Sequence, residues 1–284
     1  MESIKNTYFE KNNIYIVDNF SENNSFEILR EKFQKEKNVH VIQTTYNCGF
    51  SKGNQFGIEY AKNFNHDHLI ISNNDIIFKK NSIKEMIAEL NKNPKNVIVG
   101  PKIFLPDGSI QQSSRLDDVS ILEAMGLYSI KNWLGRKRLL DQDIKNPFIV
   151  KSVSGCCFAI NLKEFERMDA FDQNTFLFNE ENIMAKQAER NNLRIVFTPF
   201  AEIVHEHGAT TGKENLFIET ELTRSTLYYW SRYRNKKKFT LLIITISNVM
   251  KNSIKYYVSR SIKGEYFSYL KNNIKLMNKI IKKV

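Results

Sequence analysis

The chain is poor in the features that mark secreted, membrane-spanning or metal-clustered proteins. Its 284 residues hold three cysteines, Cys48, Cys156 and Cys157. Two are adjacent and cannot readily pair with each other, and no C-x-x-C spacing exists, so neither a disulfide framework nor a cysteine metal site is expected. That usage suits a reducing cytosol. The first residues are polar and charged, which predicts no signal peptide. The most apolar run, Phe239 to Ile246, is much shorter than the roughly 20 residues that span a bilayer. Low-complexity tracts and internal repeats are absent. So are a Walker A loop, a G-x-G-x-x-G turn and an H-E-x-x-H helix, which removes three common enzyme signatures.

What is present is core material and an uneven charge. Hydrophobic residues make up 42% and aromatics 12%, enough for one large domain or one domain with an appendage. The net charge is +11, but residues 1–212 carry 26 Lys and Arg against 27 Asp and Glu, a net of −1. Residues 213–284 carry 16 against 4, a net of +12. The basic character therefore belongs to the tail. A basic tail suits an anionic membrane surface or nucleic acid; this one lacks a nucleic-acid recognition motif, so no nucleic acid is expected.

Along the chain, Ile14 to Val17, Val39 to Ile42 and Leu69 to Ser72 read as buried strands, and Asn96 to Pro101 starts another. Between them Ser25 to Lys35, Asn54 to Asn63 and Ser82 to Lys92 carry apolar residues on a helical period. Ser82 with Glu85 has the capping-box pattern. This alternation predicts an α/β fold with a parallel or mixed sheet covered by helices. Leu105-Pro106-Asp107-Gly108 is a turn, followed by a loop-rich stretch to Pro147. Val150 to Ile160 reads as a strand kinked at Ser154-Gly155. Glu180 to Asn191 is a helix with Asn179 as N-cap, and Leu193 to Phe197 is a last strand closed by Pro199. Helices are expected over Leu222 to Tyr233, Phe239 to Met250 and Ile254 to Val284. Their mixed lysine and apolar pattern fits an interfacial helix; packing on the domain, or a homodimer, is the alternative.

Several groups can carry chemistry. Asp75, in Asn73-Asn74-Asp75, follows the apolar run His68 to Ser72, where an open α/β sheet binds ligands beyond its strand ends. A carboxylate there can hold a hard cation and, through it, a diphosphate, or it can simply cap a turn. Asn47 to Asn54 joins strand to helix with glycines at 49 and 53, which permit close backbone approach of a ligand or a plain turn. Glu180 and Glu181 open a helix, either as a general base or as partners of the helix dipole. His205 and His207 face one way on a strand, as a metal pair requires. The adjacent cysteines read as packing.

Taken in order, these segments resemble family-2 glycosyltransferases of the GT-A fold, in particular the rhamnosyltransferase-like branch. The matching pieces are Ile16-Val17-Asp18-Asn19-Phe20-Ser21, Asn47-x-Gly49-Phe50-Ser51-x-Gly53-Asn54-x-x-Gly57, Ile71-Ser72-Asn73-Asn74-Asp75, Ser154-Gly155-Cys156-Cys157, Phe171-Asp172 with Phe178-Asn179-Glu180-Glu181, and Val204-His205-x-His207-Gly208. The resemblance covers roughly residues 3–212. It implies a GT-A, Rossmann-like mixed sheet flanked by helices over residues 1–212; the charge and helical pattern read above make 213–284 a basic amphipathic helical region.

The same resemblance implies roles. Asp18 lies near the base or ribose of a nucleotide sugar; Asn47, Gly53, Asn54, Asn73 and Asn74 line that site. Asp75 matches the last Asp of the family's metal-binding motif, and His205 completes the Mg²⁺ or Mn²⁺ site. Glu181 matches the general base, with Glu180 its neighbour. The implied reaction is an inverting, metal-dependent transfer from a UDP- or dTDP-sugar to a hydroxyl of a glycan or lipid-linked acceptor, in cell-surface polysaccharide synthesis. The setting is the cytoplasm, or peripheral to the inner face of the membrane. Relatives open with a strand that this chain is expected to lack, since Glu2-Ser3-Ile4 already resembles the end of their first helix. A catalytically degenerate scaffold that binds a partner or a membrane is the alternative function.

Overall fold

The computed structural model describes residues 3–4, 12–115, 117–127, 141–169, 171–206, 216–259, 271–272 and 274–275. They divide into two compact units. The first comprises residues 1–117, 139–176 and 184–208, and the second residues 118–138, 177–183 and 209–284.

The first unit is a mixed α/β assembly. Strands β1 (Ile14–Asp18) and β2 (Val39–Gln43) pair in parallel. The main sheet has β3 (His68–Ser72), β4 (Ile76–Phe78), β5 (Asn96–Phe104), β6 (Ile110–Gln111), β8 (Phe148–Val150), β10 (Cys157–Asn161) and β11 (Arg194–His205). Its order is β3-β10-β5-β11-β4, with β6 on β5 and β8 on β11. Short strands β7 (Ser114–Arg115) and β9 (Ser152–Val153) form a separate pair. Only β5 and β11 run parallel in the main sheet; the other ladders are antiparallel. Among the described residues β1 pairs with β2 alone.

The central strands β10 and β11 are apolar on both faces because a hydrophobic core lies on each side of them. Alternate residues of β10 enter different cores: Phe158 and Ile160 in one, Cys157 and Ala159 in the other. Strand β11 divides in the same way, Ile195 and Phe197 against Val196, as the period-2 pleat requires. On one face lie Ile58 of α2 (Gly49–Ala61) and Phe165 of α5 (Leu162–Arg167). On the other lie Met86 and Leu90 of α3 (Ser82–Asn91). Helix α1 (Ser25–Phe33) packs on β2.

Four local expectations are corrected. Helix α2 starts at Gly49 rather than Asn54, so the glycine segment is helical instead of a loop. The capping box at Ser82 does not form: Ser82 Oγ donates towards the carbonyls of Lys79 (2.7 Å) and Glu202. Strand β11 does not close at Pro199. It runs on to His205 through a register shift between Thr198 and Glu202, and such an irregularity tolerates a residue without an N–H. The expected strand from Val150 to Ile160 is three short strands, because the ladder is broken around Ser154-Gly155.

In the second unit, α4 (Ile121–Ala124) has a true capping box between Ser120 and Glu123. Helix α7 (Leu216–Arg232) packs on α8 (Lys238–Ser259) through Leu227, Tyr229, Trp230, Leu241 and Ile244. Helix α6 (Glu180–Arg190) begins in this unit and continues in the first. Expected helix beyond residue 259 falls largely outside the described residues, as does His207.

Candidate active site

Strand pairing in the first unit gathers three polar residues that lie far apart in the chain. Strand β4 is antiparallel to β11 with His205 opposite Ile76, and the Glu206 N–H donates to the Asp75 carbonyl at 2.9 Å. This register brings Asp75 Oδ2 within 3.4 Å of His205 Nε2. Next to β11 lies β5, and next to β5 lies β6, with Ile103 opposite both Ile203 and Gln111. Gln111 Oε1 therefore reaches His205 Nδ1 at 3.1 Å. A proton on Nδ1 donated to Gln111 leaves the Nε2 lone pair facing the Asp75 carboxylate. Both side chains are largely shielded, 11% exposed for His205 and 24% for Asp75.

This pair fits a divalent cation. Adjacent oxygen or nitrogen ligands at ~2.1 Å from an octahedral ion lie ~3 Å apart, near the observed 3.4 Å. An amide holding the second imidazole nitrogen is the usual outer support of a metal-binding histidine. One carboxylate and one imidazole suit Mn²⁺ at least as well as Mg²⁺. Among the described residues no group of three or more His, Cys, Asp or Glu side chains gathers. Asn73 and Asn74 are exposed beside Asp75, and the Asn73 N–H donates to the Cys156 carbonyl at 2.8 Å.

A second cluster closes the ends of β1 and β2. Asp18 is buried and accepts from Ser21 N at 3.1 Å, Ser21 Oγ at 2.5 Å and Gln43 Nε2 at 2.8 Å. Burial pushes its carboxyl up, but the bonds from Ser21 and Gln43 outweigh it and hold the group below the usual carboxylate range. The hub is Asn19. Its Oδ1 accepts from Thr44 Oγ1 and Cys48 N, both at 3.1 Å, and its Nδ2 donates to the Gly49 carbonyl at 3.0 Å and Asn47 Oδ1 at 3.3 Å. A Cβ on Gly53 would lie 3.2 Å from Asn19 Nδ2. Asp18, Asn47 and Gly53 thus gather around one asparagine that sequence reasoning left without a role, although it lies in the motif after the strand-end Asp18. Asn54 does not join them, since its amide donates to the Phe50 carbonyl of its own helix at 2.9 Å. Gly49 has φ +81° and a Cβ there would lie 2.2 Å from the Phe176 carbonyl oxygen, so only glycine fits.

The two candidate bases belong to the second unit. Phe178 and Asn179, just before Glu180, both have positive φ, 73° and 66°. Two such non-glycine residues in a row cost about 1–2 kcal/mol each, and backbone strain of this kind concentrates at functional sites. The Asn179 side chain is not a simple cap. Its Nδ2 lies 3.2 Å from both Ser225 Oγ and Thr226 Oγ1, and its Oδ1 accepts from Asn182 Nδ2 at 3.0 Å. Glu180 is 6% exposed. Burial first, and the neighbouring Glu181 carboxylate second, push its carboxyl up to about 8. Glu180 Oε1 has no hydrogen-bond partner among the described residues. Glu181 is the less buried of the two. No cysteine forms a disulfide, and burial pushes the Cys157 thiol far up, which leaves it no nucleophilic role.

With this geometry in place, comparison with known proteins identifies its kind. The family model described as glycosyl transferase family 2 matches residues 1–167. The low-salt glycan biosynthesis hexosyltransferase Agl10 of Haloferax volcanii is 24% identical over 208 residues, 72% of this chain and 63% of that protein. The N-acetylglucosaminyl-diphospho-decaprenol L-rhamnosyltransferase of Mycobacterium tuberculosis is 20% identical over 195 residues, 64% of this chain and 63% of that protein. The matches thus span a little under two thirds of these relatives' length. Among solved structures, GalNAc-T7 with UDP, GalNAc and Mn²⁺ superposes with a TM-score of 0.57 at 17% identity, covering 78% of this chain and 43% of that one. The mannosyltransferase PcManGT from Pyrobaculum calidifontis, in complex with GDP-Man and Mn²⁺, has a TM-score of 0.53 at 9% identity, covering 99% and 81%. These likenesses show the fold, which is GT-A.

Proposed function

The chain belongs to glycosyl transferase family 2, and from that membership we propose that it moves a sugar from a nucleotide-diphosphate sugar to a hydroxyl of a glycan or lipid-linked acceptor, with inversion, in cell-surface polysaccharide assembly. The observation that carries this reading is the Asp75–His205 pair, 3.4 Å apart and backed by Gln111. In this reading Asp75 and His205 hold Mn²⁺ or Mg²⁺. When bound, the ion neutralises the charge that builds on a diphosphate leaving group, so no general acid is needed. The relatives whose names carry a hexosyltransferase role in glycan biosynthesis and a decaprenol-linked substrate support the acceptor class.

The residues then divide the work. Gln111 fixes the His205 ring. The Asp18, Asn19 and Asn47 cluster, closed against Gly53, shapes the nucleotide end of the donor site, and Asn73 and Asn74 flank Asp75. Glu181 takes the proton of the acceptor hydroxyl as its oxygen bonds to the anomeric carbon and the bond to the diphosphate breaks. One such displacement inverts the carbon. Glu180, whose carboxyl is pushed up to about 8 by burial and then by Glu181, is the neighbouring candidate for the same role. The catalysis is positioning and electrostatics. We place it in the cytoplasm, in keeping with the absence of disulfides among the three cysteines.

The test is calorimetric titration of UDP and dTDP into the full chain with and without Mn²⁺. Binding that requires Mn²⁺, and that Asp75→Ala removes, is the expected result. Absence of nucleotide binding under both conditions would overturn the proposal.

A further inference from the structure

Helix α8 (Lys238–Ser259) has a buried face and, opposite it, an apolar exposed one. Leu241, Ile244, Thr245, Asn248 and Asn252 are buried. Along this face Asn248 Nδ2 donates to the carbonyls of Ala124 at 2.7 Å and Ile244 at 2.9 Å, and the aliphatic residues join Leu227, Tyr229 and Trp230. The other face is exposed among the described residues. Phe239 is 72% exposed, Ile246 48% and Met250 58%, with Ile243 half-buried between them. Positions 239, 243, 246 and 250 follow the helical period and form one stripe. A stripe of this size on the outside of a helix marks an interaction surface.

Charge tells what covers it. Lys236, Lys237 and Lys238 are exposed at the beginning of the stripe, and the first turn of α8 has no acidic residue. From Leu222 to Gly264 the chain holds ten Lys and Arg and no Asp or Glu. Three lysines at a helix N-terminus stand against the helix dipole, an arrangement an anionic surface relieves. Nucleic acid would relieve the charge and leave the stripe in water. A second copy would cover the stripe and bring the same lysines together. An anionic bilayer satisfies both. No described helix is long and apolar enough to cross a membrane; a helix with this pattern fits the surface of a bilayer, its apolar face in the acyl boundary.

We propose that the Phe239–Ile243–Ile246–Met250 face of α8, with Lys236 to Lys238, seats the protein on an anionic lipid bilayer. The proposal goes beyond the transfer reaction and does not depend on it.

The test is co-sedimentation of the full chain with vesicles of phosphatidylcholine alone or mixed with phosphatidylglycerol. The wild type is expected to pellet with the mixed vesicles and to be released by salt. The triple exchange Phe239→Ser, Ile246→Ser, Met250→Ser removes binding. Lys236→Glu, Lys237→Glu, Lys238→Glu leaves the stripe intact and weakens partition into the anionic vesicles by at least about 100-fold, from the loss of three surface cations. Circular dichroism checks that both variants fold. Wild-type protein that stays in the supernatant with mixed vesicles overturns the proposal. Equal binding to neutral vesicles overturns the part given to the lysines. A dimer in sedimentation velocity that the serine variant abolishes, without vesicle binding by either, assigns the stripe to a second copy instead.

Discussion

Glu180 lets the electrostatics of the second unit be tested without a substrate. Its carboxyl is pushed from an ordinary 4.5 to about 8, by burial and then by Glu181. A carboxyl raised on folding is protonated in the folded chain and ionised in the unfolded chain throughout that window. The unfolded state then binds fewer protons, so stability falls as pH rises. The contribution is fully present below about pH 4.5 and is lost as pH climbs through about 8. At 1.36 kcal/mol per pH unit, the loss amounts to about 5 kcal/mol across the window, a large share of the 5–15 kcal/mol typical of a domain. Glu180→Gln replaces the protonated acid with a neutral group of nearly the same shape. Urea unfolding of the two proteins at pH 5, 6, 7 and 8 should give curves that diverge with pH, the variant gaining several kcal/mol relative to wild type by pH 8. Every other titrating group is common to both, so the difference isolates this position. Parallel curves from pH 5 to 8 would show that Glu180 ionises normally.

Two further outcomes follow from hydrogen-bond geometry in the first unit. Gln111→Leu removes the partner of His205 Nδ1 and should weaken Mn²⁺ binding about 10–100-fold, read by titration of the free ion; unchanged affinity would mean that the amide does not orient the ring. Asp141 is fully buried and accepts from Gln112 Nε2 and Ser113 Oγ at 2.7 Å, Ser113 N at 2.6 Å and Ser114 Oγ at 2.5 Å. Asp141→Ala strands those donors and should cost about 3 kcal/mol in chemical denaturation, while a loss below about 0.5 kcal/mol, the ordinary surface value, would contradict the network.

Much of the fold was legible because it rests on local pattern. Apolar β-branched runs located β1, β2 and β3 to within a residue or two, since such side chains favour the extended backbone of a strand. Errors fell where a distant partner overrides local preference. Gly49 and Gly53 look like loop residues, yet they lie in α2, glycine being kept there because the Phe176 carbonyl and the Asn19 amide crowd the place of a Cβ. Ser82 looks like a cap, yet its hydroxyl is taken by carbonyls of residues 79 and 202. Pro199 looks like a strand end, yet a register shift carries β11 past it. Gln111 carried no signal, because one glutamine after a turn is unremarkable until β5 and β11 bring it to His205.

The amino-acid sequence by itself determined the order of strands and helices, the division between a near-neutral α/β part and a basic tail, and the placement of Asp75 just after a strand, all of which depend on neighbours within a few positions. The tertiary structure alone decided which side chains meet and in what surroundings. The meeting of Asp75 with His205 is a consequence of ladder register between strands distant in the chain. The raised carboxyl of Glu180 is a consequence of burial, and the two-faced character of α8 shows only once one of its faces has been covered. Register and dielectric are properties of the packed whole, so no window of sequence contains them.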